Sequence, residues 1–129
     1  MRFALTVILL LAAVPAGAGA RVIDGDTFDL DGERVRIANI DAPELRHGKC
    51  DAEKRLARLA KRRLADLLAA GVIAVVPGDP EDGRRRDRYG RLLAIVTLDG
   101  ADIGAILVEE ELARPWTGHR EPWCGSGGR

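Results

Sequence analysis

The sequence predicts a small β-barrel or compact α+β domain with two helices. Three observations carry this. The hydrophobic pattern runs strands, helix, strands, helix within one chain of 129 residues. No alternating strand–helix–strand series is present, and no Gly-rich dinucleotide fingerprint follows a strand. The chain is 47% hydrophobic and 31% charged, which suits a packed core and excludes disorder and a polytopic membrane protein.

The first segment to set aside is the leader. Met1 and Arg2 are followed by an apolar stretch from Phe3 to Val14, then Pro15 and a run of Ala and Gly. This order matches a secretory signal peptide over residues 1–20. The apolar stretch falls short of the roughly 20 residues a spanning helix needs. Cleavage fits after Ala16, Ala18 or Ala20. A cut after Ala20 leaves only three residues before Asp24, so Ala16 or Ala18 is the expected site. Export to a periplasmic or extracellular compartment follows. There Cys50 and Cys124 are expected to form a disulfide, because two cysteines allow one pairing and the compartment is oxidising. The bridge would close a long loop, for which chain entropy suggests on the order of 4 kcal/mol. Neither cysteine sits in a C-x-x-C pair, which argues against metal binding by sulfur.

Val22 to Leu30 reads as one β-like run, and Glu33 to Ile37 alternates polar and apolar. Asp31-Gly32 between them signals a hairpin. In the second strand Val35 and Ile37 share one face, and Arg34 and Arg36 the other. Pro43 opens a loop to Cys50. Residues 51–70 read as a helix, with Leu56, Leu59, Ala60, Leu64, Leu67 and Leu68 as its apolar stripe and Gly71 as its stop. Val72 to Val76 and Leu92 to Leu98 read as strands around a polar loop, the second closed by Asp99-Gly100. Ile103 to Leu112 reads as a short helix. The domain is expected over 21–114, and 115–129 as an irregular tail tied down by the disulfide.

Net charge is zero, which excludes a generally basic nucleic-acid coat. Locally the charge is uneven. Residues 24–44 hold seven acids (Asp24, Asp26, Asp29, Asp31, Glu33, Asp41, Glu44) against Arg34 and Arg36. Residues 84–91 hold five arginines against Asp87. Carboxylates hold hard cations through oxygen, and arginines grip phosphate with planar forks. An EF-hand loop starting at Asp24 fails, because Asp29 stands where that loop needs Gly and Val35 where it needs Glu.

Three motifs in order resemble the staphylococcal-nuclease (thermonuclease) family. They are Val22-Ile23-Asp24-Gly25-Asp26-Thr27, then Arg36 through Asp41-Ala42-Pro43-Glu44, then Asp87-Arg88-Tyr89-Gly90-Arg91. The resemblance covers about residues 22–114. It implies an OB-fold, a five-stranded Greek-key barrel with two helices. It also implies calcium-dependent hydrolysis of DNA and RNA, cutting the P–O5′ bond and leaving a 3′-phosphate. Carried over by motif, Asp26 and Asp41 would bind calcium through carboxylates and Ala42 through its backbone carbonyl. The family usually carries Thr at that position, a change that spares a carbonyl ligand. Asp24 would stand behind these ligands. Glu44 would orient or deprotonate the attacking water. Arg36 and Arg91 would bind the scissile phosphate, and Arg88 and Tyr89 the terminal phosphate of a bound nucleotide. DNA and RNA are then the partners, as substrates, and nothing implies a protein partner beyond a monomer.

Other residues read plainly. His47 and His119 lack partners at ligand spacing and read as solvated. Arg84 to Arg86 read as a solvated loop or a backbone contact. Trp116 and Trp123 suit base stacking or packing of the tail. The tail stands where the family carries a C-terminal helix, so the disulfide and the Trp residues are expected to hold it. A helix end near Glu111 lacks the usual Gly. The competing function is a non-catalytic OB-fold module binding nucleic acid or protein. The presence of both arginines, Glu44 and the carboxylates favours the enzyme.

Overall fold

The structure, a computed structural model, describes residues 19–125. The leader expectation for residues 1–18 lies outside the described residues. The elements run β1 (Arg21–Asp24), β2 (Thr27–Leu30), β3 (Glu33–Ile37), β4 (Ile40–Asp41), α1 (Asp51–Leu68), β5 (Ile73–Pro77), β6 (Leu92–Leu98), β7 (Ala101–Asp102), α2 (Ile103–Glu109) and β8 (Arg114–Pro115).

Five strands form one path in the order β1-β2-β3-β6-β5, with β7 paired to β6. β3 and β6 are parallel, and the other ladders are antiparallel. Among the described residues no ladder joins β1 to β5. The sheet is therefore open at that seam, in keeping with the partly open five-stranded OB-fold rather than a closed barrel. Phe28, Val35, Ile37 and Val96 of the sheet are fully buried with Leu64 of α1 and Ile103 and Leu107 of α2.

Both Asp-Gly turns form as read. Asp31 and Gly32 take φ of 49° and 80°, and Asp99 and Gly100 take 48° and 85°. Positive φ at both central residues is what a tight hairpin with right-twisted strands requires. The single run from Val22 to Leu30, however, is broken. The chain turns at Gly25-Asp26, and β1 pairs back on β2. A Cβ at Gly25 would lie 2.7 Å from Ala60 Cβ and 3.1 Å from Ala42 Cβ. Only glycine lets this turn approach α1 so closely.

The buried face of α1 is Glu53, Ala57, Ala60, Leu64, Leu67 and Leu68. Leu59, expected in the stripe, is 52% exposed, and Leu56 is half-buried. The stripe passes instead through small alanines that let the helix lie against β1 and the Gly25 turn. The helix ends at Leu68, short of Gly71. α2 starts under Asp102, whose carboxylate accepts from Ala105 N at 3.1 Å. It ends at Glu109 rather than Leu112, because Glu111 itself takes φ of 61°.

As far as Gly125 the tail is irregular after β8 and is tied to the domain at several points. β8 pairs β4 in the register Ile40↔Pro115 and Asp41↔Arg114, and Trp116 N donates to Asn39 O at 3.0 Å. Cys50 and Cys124 are joined by a disulfide across 74 residues. Arg114 stacks on Trp123, 3.7 Å from the ring centroid, and donates from Nη1 to Pro122 O at 2.9 Å. No helix among the described residues is long and apolar enough to cross a membrane.

Candidate active site

The β1–β2 turn, β3, the loop after β4 and the loop before β6 meet at one cleft of about 880 Å³. Asp24, Asp26, Arg36, Glu44, Arg88, Tyr89 and Arg91 all line it. Asp41 and Ala42 lie beneath, 3% and 1% exposed.

Asp26 follows the Gly25 turn and is buried. Its Oδ1 accepts from Thr27 Oγ1 at 2.9 Å, and its Oδ2 from Ala42 N at 2.9 Å. The second bond ties the β1–β2 turn to the segment after β4. Asp24 reaches the same segment, accepting from Leu45 N at 3.5 Å. Burial, then the neighbouring Asp26, push the Asp24 carboxyl above the usual aspartate range. Asp41 is also raised, by burial first; Arg120 opposes this and Asp26 adds to it. Burial disfavours the charged form of both carboxyls, and the neighbouring Asp26 adds repulsion.

Arg36 is buried on β3, whereas Arg34 is exposed and paired with Asp29. Arg36 Nη1 donates to Ile37 O and, at 2.8 Å, to Ile40 O. Its Nη2 is 3.8 Å from Asp26 Oδ2 and 4.0 Å from Asp41 Oδ1. Its guanidinium lies over Trp116, 5.6 Å from the ring centroid. Arg91 is half-buried and held by Asp87, with Nε donating to Asp87 Oδ2 at 2.7 Å. Asp87 Oδ1 accepts from the backbone N of Tyr89 and Arg91 at 2.9 and 3.0 Å. Burial raises the Asp87 carboxyl, but the bonds from Arg91 outweigh it and hold the group below the usual range. The Nε contact spends none of the terminal amino groups that fork onto a phosphate. Arg88 stacks on Tyr89 at 4.9 Å and donates from Nη2 to its hydroxyl at 2.7 Å. Tyr89 is 68% exposed and forms the rim.

Several residues of the site carry no motif in the sequence. Glu53, in the first turn of α1, is buried and accepts the backbone N–H of Glu44 at 3.0 Å and of Lys49 at 2.9 Å. Its place three residues after the helix cap Cys50 is the usual Glu position of a capping box. Arg120 of the tail meets Glu44 Oε1 at 2.7 Å and Asp41 Oδ1 at 3.1 Å. Trp123 Nε1 donates to Asp41 Oδ2 at 3.2 Å. Trp116 and His47 line the cleft, His47 exposed at its edge. His119 is exposed beside Glu121, as a solvated residue should be.

A family model described as staphylococcal nuclease homologue matches residues 34–122. The chain belongs to the staphylococcal nuclease homologue family. Relatives include Endonuclease YncB of Bacillus subtilis (strain 168), 35% identical over 98 residues, which cover 73% of this chain and 44% of that protein. The SPbeta prophage-derived endonuclease YokF of the same organism is 34% identical over 98 residues, 73% of this chain and 32% of that protein. The Succinoglycan biosynthesis protein ExoI of Rhizobium meliloti (strain 1021) is 37% identical over 99 residues, 76% of this chain and 51% of that protein. The chain thus spans about half or less of the length of these relatives.

The donor set suits a hard cation. Asp26, Asp41 and the Ala42 carbonyl offer only oxygen, and the two buried carboxylates lie within reach of the same Arg36 guanidinium. No group of three or more His, Cys, Asp or Glu side chains that could hold a metal exists among the described residues. The protein would therefore supply part of a shell that water and phosphate oxygens complete, as calcium's six to eight ligands allow.

Proposed function

We propose that the protein is an exported, calcium-dependent nuclease that hydrolyses DNA and RNA and leaves 3′-phosphate ends. One observation carries the reading: Arg36, Arg91, Asp26 and Glu44, drawn from three separate motifs, line a single cleft. A phosphodiester anion repels an attacking oxygen nucleophile, so the site must supply positive charge. Arg36 and Arg91 would grip the nonbridging oxygens and stabilise the charge that builds on them. Asp26, Asp41 and the Ala42 carbonyl would hold calcium, which when bound supplies further positive charge to the phosphate. Glu44 would take a proton from the attacking water. The oxygen of that water would bond to phosphorus as the P–O5′ bond breaks; the upstream fragment keeps the 3′-phosphate, and the downstream fragment leaves through O5′, which takes a proton from solvent to become a 5′-hydroxyl. Arg88 and Tyr89, stacked at the rim, would meet a terminal phosphate.

The test is hydrolysis of single-stranded DNA by the purified protein, with calcium and then with excess chelator. Calcium-dependent cleavage, lost in Arg91→Ala, with product ends sensitive to a 3′-phosphatase, is the expected result. A folded, oxidised protein that binds DNA without cutting it would instead be a binding module. N-terminal sequencing of protein recovered outside the producing cell checks export; a start at Arg21 would refute the expected cut after Ala16 or Ala18.

A further inference from the structure

Arg120 belongs to none of the motifs, yet it sits on the reacting carboxylates. Its Nη1 is 2.7 Å from Glu44 Oε1, and its Nη2 donates to Asp41 Oδ1 at 3.1 Å. The other Asp41 oxygen accepts from Trp123 Nε1. An exposed ion pair contributes little, but this one reaches an Asp41 side chain that is only 5% exposed. A carboxylate so buried depends on its donors.

The tail that carries Arg120 is anchored at both ends. Before it, the β4–β8 ladder pairs Arg114 with Asp41 itself. After it, Cys124 is bonded to Cys50, the cap of α1. Three residues beyond Cys50, Glu53 holds the backbone of Glu44. The backbone of Glu44 is thus fixed from α1 and its side chain from the tail, and one disulfide joins the two supports. Arg120 also differs from Arg91, which meets Asp87 through Nε and not through its terminal amino groups. Both terminal amino groups of Arg120 are committed to carboxylates, which suits orientation of those groups rather than a grip on phosphate.

We propose that Arg120 is a positioning residue, holding the Glu44 carboxylate beside Asp41 from a tail that the Cys50–Cys124 disulfide locks over the cleft. The proposal rests on the hydrolytic reading of the cleft. Without Arg120, Glu44 regains rotamer freedom and the proton acceptor is misplaced, while the phosphate-gripping arginines remain. Turnover falls and substrate binding persists. A positive charge also leaves the Asp41 carboxylate, so calcium binds more tightly.

The experiment compares wild type, Arg120→Gln, Arg120→Lys and the Cys50→Ser/Cys124→Ser pair, all as full-length secreted-form protein. Cleavage of single-stranded DNA at saturating calcium gives kcat and KM. Calorimetric titration with calcium alone gives a readout free of turnover. Arg120→Gln should lower kcat by roughly tenfold to a hundredfold with KM little changed. Its calcium affinity should rise, and Arg120→Lys should recover part of kcat through one carboxylate. Loss of the disulfide should lower kcat similarly, with no further loss on adding Arg120→Gln, because the two act as one unit. An unchanged kcat in Arg120→Gln overturns the proposal, as do losses that simply multiply. Wild type that cuts nothing sinks the nuclease reading itself; active wild type with fully active Arg120→Gln sinks only the role of Arg120.

Discussion

Glu53 and Glu44, nine residues apart, are joined by a side-chain to backbone bond of 3.0 Å through which the first turn of α1 holds the loop that brings Glu44 to the cleft. The same carboxylate accepts from Lys49 N, so it satisfies two loop donors at once. Glu53→Gln replaces one acceptor oxygen with a donor facing a donor. Unfolding by urea should show a loss of about 1–3 kcal/mol, and cleavage should fall as the Glu44 loop loosens. Wild-type stability in this variant would mean the loop is held elsewhere.

The two arginines proposed to grip phosphate should separate in their effects. Arg36 is buried and donates to Ile37 O and Ile40 O. Arg36→Ala should therefore cost both activity and stability, the latter by about 3–5 kcal/mol. Arg91 is half-buried and bonded within its own loop to Asp87. Arg91→Ala should lower kcat by about 10²–10³-fold with a melting temperature close to wild type. Parallel melting and cleavage measurements check the contrast.

Calcium should stabilise the folded chain. Burial raises the Asp41 carboxyl first and the neighbouring Asp26 adds repulsion, which a cation placed between the two would relieve. At about a hundredfold excess over its dissociation constant, a ligand bound only by the folded state adds about 2.7 kcal/mol. The melting temperature should rise with calcium, return with chelator, and respond much less in Asp41→Asn. An equal rise in Asp41→Asn would place the ion elsewhere.

The Asp87 contact fixes a pH window. Its carboxyl lies below the ordinary aspartate value of 3.8 in the folded state. The unfolded chain therefore binds the proton first as pH falls, and the contact stabilises the fold above that value. The contribution is lost as pH drops through the lowered folded value. Amide exchange at Tyr89 and Arg91, corrected for intrinsic rate, should stay protected above the ordinary aspartate range and lose protection as the pH falls below it. Asp87→Asn should show the low-pH behaviour throughout.

The disulfide predicts no free thiol in unreduced, denatured protein. A bridge spanning 74 residues constrains the unfolded chain by about 4–5 kcal/mol in the chain-entropy account. Because the tail can detach before the core opens, Cys50→Ser/Cys124→Ser should lose less than this in global stability. A count of two thiols would remove the support assigned to the tail.

Local signals were legible where one short segment decides the geometry. Asp31-Gly32 and Asp99-Gly100 specify their turns through left-handed backbone that few other residues adopt as readily. The three motifs that meet in the cleft were legible because each is contiguous. The Gly25 turn carries the same Asp-Gly signal, in Asp24-Gly25, but its place against Ala60 of α1, which demands the glycine, is a long-range contact that no local pattern states. Leu59 fits the core by apolar identity, but the close approach of α1 selects the smaller Ala57 and Ala60 and leaves Leu59 outside. Arg120 carries no local signal, and Trp123 reads only as a stacking or packing residue rather than a donor to Asp41, for a similar reason. Their role depends on where a Gly- and Pro-rich tail docks, and nothing within the tail states its destination.

The ladder between β4 and β8 also has a consequence in time. A growing chain that has reached the end of α2 already holds every residue of the buried core except Ala113. It still lacks Arg114, Arg120, Trp123 and the second sulfur. Synthesis runs from the N-terminus, so the scaffold can collapse before the outer wall of the cleft exists. The enclosure of Asp41 is thus a late event in the molecule's making, acquired only once synthesis has passed residue 124.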